Sequence, residues 1–60
     1  MEELIMSYGF VQSDNNEYVR DNWTIRLEFP QFEIFSDPEI DTRYYYGYLS
    51  NLEKYLNAID

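Results

Sequence analysis

Apolar residues along the chain recur with two different periods, and the switches between them mark out the elements. In residues 1–9, Leu4, Ile5 and Tyr8 keep the spacing of one helical face, and Glu2 and Glu3 sit where a helix dipole favours negative charge. This predicts a short first helix. Gly9 follows the last periodic residue and suits the left-handed position that stops a helix, with Phe10 as the accompanying apolar contact.

From residue 10 the period shortens to two. Residues 10–12 can begin a strand, and Ser13-Asp14-Asn15-Asn16 groups short polar side chains that bond to nearby backbone and mark a turn. Residues 17–20 run extended. Asp21-Asn22 suits a two-residue hairpin, because Asp and Asn tolerate positive φ better than other non-glycine residues. The string WTIRLEF then places Trp23, Ile25, Leu27 and Phe29 on one face and Thr24, Arg26 and Glu28 on the other, a seven-residue alternation that defines a strand. Pro30 has no N–H for a ladder and belongs in the bend that follows. In FEIFS, Phe32 and Ile34 share one face, Glu33 and Phe35 the other. Ser36 or Asp37 precedes Pro38 in the order of an N-cap and a first helical residue, so residues 37–41 form one helical turn or a tight loop. RYYYGYL reads as a further strand, with Tyr44, Tyr46 and Tyr48 on one face, Tyr45 and Leu49 on the other, and Gly47 at a bulge or close approach.

The helical period returns at the end of the chain. Leu52, Tyr55, Leu56 and Ile59 stand at i, i+3, i+4 and i+7, behind a capping box of Ser50 and Glu53. The order predicts an α+β fold in one compact domain over residues 1–60. Its core is a small antiparallel sheet of three to four strands, flanked by a short N-terminal helix and an amphipathic C-terminal helix on one face. Trp23, Phe29 and Phe32 are expected in the core.

The alternation leaves a surplus. Phe35, with either Tyr45 or the row Tyr44, Tyr46 and Tyr48, must lie on the sheet face that the helices do not cover. A second apolar face on a 60-residue body, which buries only about 60% of the surface its unfolded chain exposes, predicts an interface, and homodimerisation through that face or a strand edge is expected.

Charge and chemistry narrow the function. Twelve acidic residues against four basic ones give a net charge of −8, which disfavours direct nucleic-acid binding and favours a partner with a basic surface. With no histidine and no cysteine, histidine-based catalysis, thiolate chemistry and disulfides are excluded. The spacing Asp37-x-Glu39-x-Asp41 copies the start of a calcium loop, but Thr42 and Tyr48 occupy the positions of its glycine and bidentate glutamate. Gly9 and Gly47 are too isolated for a phosphate loop. No catalytic residue, metal or cofactor is assigned, and an enzyme is not expected. The first residues lack the basic region of a secretory signal, and no apolar run reaches the length of a membrane span, so a soluble cytoplasmic protein without membrane contact is expected.

The acidic residues are unevenly placed. Between positions 28 and 41 stand Glu28, Glu33, Asp37, Glu39 and Asp41 with no basic residue among them, a strip read as partner-binding. Phe35, Tyr44, Tyr46 and Tyr48 are read as the aromatic part of a dimer or partner interface.

A YGF after a short helix, the WTIRLEF and FEIF strands, the YYYG segment and a terminal LEKYL helix together resemble the small acidic anti-defence proteins of bacteriophages and prophages, those directed at the Hachiman system being closest in scale. The resemblance spans the chain as size, charge and element order, and carries no signature residues. It implies a non-catalytic inhibitor in the bacterial cytoplasm that binds a defence protein with a basic nucleic-acid-binding surface, by steric block or by mimicry of nucleic acid. A structural or accessory subunit of a phage or bacterial assembly, docked through its aromatic face, is the alternative.

Overall fold

The computed structural model describes residues 1–60 and contains five strands between two helices. The order is α1 (Glu2–Ser7), β1 (Val11–Asp14), β2 (Glu17–Arg20), β3 (Trp23–Glu28), β4 (Gln31–Ser36), β5 (Tyr44–Tyr48), a 3₁₀ turn (Leu49–Asn51) and α2 (Leu52–Ile59). The strands form one antiparallel sheet in chain order, each paired with its sequence neighbour. The α+β class stands, and the strand count is five rather than three to four. The added member is β1: residues 11–14 pair with β2 as an edge strand, and the turn narrows to Asn15-Asn16.

The hairpin chemistry follows the local residues. Asn16 (φ 57°) and Asp21 (φ 53°) take the positive-φ positions of the first two turns, as short polar side chains allow. Phe29-Pro30 forms the third turn with a cis peptide bond, between the paired residues Glu28 and Gln31. α1 ends where Gly9 adopts φ 90° and donates its N–H to the Met6 carbonyl at 2.9 Å.

Alternation sorts the strands into two faces. Tyr18, Trp23, Ile25, Leu27, Phe32 and Ile34 point to the helices, where they form one cluster with Ile5, Phe10, Leu52, Leu56 and Ile59. Tyr55 of α2 packs on Phe32 and Tyr45, with ring centroids 5.7 and 5.1 Å apart. Two expectations change here. Phe29 is 63% exposed, because the strand ends at Glu28 and the Phe29-Pro30 turn carries its ring away from the core. The Ser50–Glu53 capping box does not form: a 3₁₀ turn precedes α2, whose N-cap is Asn51, with no side-chain capping bond. The Leu49 N–H continues the β4–β5 ladder to the Pro30 carbonyl, and the chain enters the helix through the tighter turn. No helix is long and apolar enough to cross a membrane.

Arg20 holds the covered side together at its rim. Its guanidinium donates to the carbonyls of Tyr8 (2.6 Å) and Ile59 (3.5 Å), pairs with Asp60 (3.0 Å) and lies over the Phe10 ring. One side chain thus joins the end of α1, the end of α2 and β2.

Candidate functional site: the open face of the sheet

No helix covers the other face. Phe35, Tyr44, Tyr46 and Tyr48 all project from it, the tyrosines 50 to 58% exposed, while Tyr45 turns to the helices. The register explains the arrangement. Thr24, Phe35 and Tyr44 form one cross-strand row, Arg26, Glu33 and Tyr46 the next, and Glu28, Gln31 and Tyr48 the third.

Polar groups on this face bind one another. Arg26 reaches Glu17 at 3.3 Å and Glu33 at 3.0 Å, and its guanidinium lies over Phe35, 5.3 Å from the ring centroid. The Tyr44 hydroxyl donates to Glu33 and the Tyr46 hydroxyl to Gln31, each at 2.6 Å. The bond from Tyr44 to the Glu33 carboxylate, with some burial and the surrounding negative charge, raises the Tyr44 phenol above its ordinary range. Arg26 is held more firmly protonated, chiefly by its bond to Glu17.

At one end the face runs into the loop 37–43, which is built by its own carboxylates. Ile40 and Asp41 donate their N–H groups to the Asp37 carbonyl, and Asp37 Oδ1 accepts the Glu39 N–H at 3.0 Å. Arg43 grips both oxygens of Asp41, the shortest contact 2.7 Å, and donates to the Ala58 carbonyl of α2. Those bonds from Arg43 hold the Asp41 carboxyl below its usual range. Thr24, Arg26, Glu33, Phe35, Asp41 and Arg43 help to line an open hollow of about 700 Å³ between sheet and loop. No buried side-chain polar atom lacks a hydrogen-bond partner, and no three acidic residues gather closely enough to hold a metal ion.

The five carboxylates of the acidic strip are therefore not equivalent. They follow the open face from Glu28, beside the β3–β4 turn, to the loop at the far end of β4, about 17 Å away at strand rise. Glu33 sits on an interior strand, with its side chain 17% exposed and committed to Arg26 and Tyr44. Asp41 is committed to Arg43, and Asp37 shapes the turn with one oxygen. Glu28 and Glu39 are exposed and make no ion pair. Glu17, Arg26 and Gln31 also belong to this site, outside the residues that the acidic strip and the tyrosine row pick out. Arg26 falls on the polar side of the WTIRLEF alternation, and its partners emerge once the strand register is set.

The face thus presents aromatic rings beside ion-paired groups at its centre, Arg26 shared between Glu17 and Glu33, with unpaired carboxylates at its margins. Comparison with family models, curated proteins and solved structures finds no match to this chain.

Proposed function

We propose that the chain is a non-catalytic binding protein, an inhibitor of a bacterial defence protein, that docks through the open face of its sheet. The observation that carries this reading is the row of Phe35, Tyr44, Tyr46 and Tyr48 on a helix-free face, which presents amphipathic rings of the kind enriched at protein interfaces. Glu28, Asp37 and Glu39 at its margins, with the net charge of −8, speed encounter with a basic surface such as one that handles nucleic acid. The action is steric block or mimicry of nucleic acid, as the resemblance to phage anti-defence proteins implies.

The test is capture of partners from bacterial lysate on the immobilised chain, eluted in steps of rising salt. A nucleic-acid-handling protein released at moderate salt, and no longer captured by the triple variant Glu28→Lys, Asp37→Lys, Glu39→Lys, is the expected result. Undiminished capture by that variant refutes the electrostatic part. The neutralisation of Glu33 and Asp41 by Arg26 and Arg43 favours a second reading, an accessory subunit held by its aromatic face alone, whose partner stays bound through the salt steps.

A further inference from the structure

The two edges of the sheet are built differently. β1 is four residues long, its register with β2 slips at Ser13, and the Ser13 hydroxyl bonds to the Glu17 carbonyl beside it. A short, bulged, acid-bearing edge is poorly suited to receive another strand. β5 has none of these features: its sequence, YYYGY, runs five residues in unbroken register with β4 and contains no charge and no proline.

The ladder fixes which β5 groups are free. Leu49 donates to the Pro30 carbonyl, so in the same register Gly47 exchanges bonds with Phe32, and Tyr45 with Ile34. The N–H and C=O groups of the alternate residues Tyr44 and Tyr46, and the N–H of Tyr48, point away from the sheet. No turn, loop or cap bond reaches them.

We infer that β5 is a dimerisation edge, and that its occupant is the β5 of a second copy, paired antiparallel about Tyr46. The edge is self-complementary in that register. Tyr46 exchanges both backbone bonds with Tyr46 of the second copy, and each Tyr48 N–H meets the Tyr44 carbonyl opposite. Tyr45 falls opposite Gly47 of the second copy on the helix side, a close pair in which one residue has no side chain. Gly47 has ordinary φ, and a Cβ there would lie 3.7 Å or more from Phe32 and Tyr55, so its own chain does not require glycine. An aromatic residue across from a strand glycine compensates for the missing side chain. On the open face the two tyrosine rows meet as one band, with no like charges opposed across the seam. The pairing joins two sheets of five into one continuous sheet and leaves β1 as the only edge type exposed.

The experiment is sedimentation equilibrium of the purified chain over a wide concentration range, so it needs no partner, and its failure leaves the proposed function standing. Twice the chain mass is expected. Added salt should strengthen the association, because each copy carries −8, which is the reverse of the salt effect expected for a basic partner. Tyr46→Pro removes an outward N–H that the fold does not use, so it should keep native circular dichroism and sediment as one chain. A single-chain mass at all concentrations overturns the inference, and so does a doubled mass that survives in folded Tyr46→Pro. Amide exchange on the unaltered chain decides the matter should that variant not fold. Tyr46 and Tyr48 amides protected only as concentration rises uphold the edge, and the same amides exchanging fast throughout overturn it.

Discussion

Strands β3 and β4 carry two faces on one backbone, and the two are stabilised by different physics. Toward the helices, Ile25, Phe32 and Ile34 are fully buried and gain from removal of apolar surface from water. Toward solvent, the same strands hold Arg26, Glu33 and Phe35 in cross-strand contacts that stay within reach of water, where ion pairs and ring contacts contribute little each. Burial supplies most of the stability on the first face, and exposed polar pairs supply little on the second.

Substitutions sharpen that contrast. Phe32→Ala empties a site with no exposure and should cost about 4 kcal/mol, measured by chemical denaturation, enough to unfold much of so small a domain. Arg20→Met keeps the contact with Phe10 but removes the charged donors that tie α1 and α2 to β2, for an expected loss of about 2 kcal/mol by the same measurement. Gly9→Ala forces a side chain into φ 90° with its Cβ 3.2 Å from Arg20 Cδ, and about 1 kcal/mol of destabilisation is expected. On the open face, Arg26→Met should move the melting temperature least of all while changing the affinity for a partner. A loss of stability equal to that of Phe32→Ala would show that the two faces do not differ as described.

The smallest effect is read by titration. Because the bond to Glu33 raises the Tyr44 phenol, the folded state holds that proton more tightly than the unfolded chain. The resulting stability is complete below the unfolded tyrosine value of about 10 and is lost as pH rises through the folded value. Ultraviolet titration should show two late tyrosines, Tyr18, raised chiefly by burial, and Tyr44, of which Glu33→Gln returns only Tyr44 toward the ordinary range. An unchanged curve in that variant would mean that the hydrogen bond does not form in solution.

The covered face was legible in the sequence because burial imposes a strict period. WTIRLEF and FEIFS give the two central strands, and Leu52, Leu56 and Ile59 the helix stripe. Phe29 misleads because alternation continues one residue past the end of hydrogen bonding, into a turn that proline bends outward. β1 was only half visible: its four residues are all exposed, so no apolar pattern announces them, and pairing with β2 alone makes them a strand. The capping box has the right residues in the wrong geometry, since the 3₁₀ turn takes the place of the expected helix start. On the open face the tyrosine row was readable from period two. The neutralisation of Glu33 and Asp41 was not, because it depends on register across strands and on how the 37–43 loop folds back.

The strict neighbour-to-neighbour order of the sheet has a kinetic consequence. Every strand pair closes a loop of a few residues except β4–β5, so the sheet can assemble by successive short closures at low entropic cost. The contacts of longest range belong to the helices: Tyr8 with Asn57, and Arg20 with Ile59 and Asp60. The hairpins should therefore organise first and α2 should dock last, so that the most frequent partial opening of the folded chain is release of that helix from a sheet that remains paired.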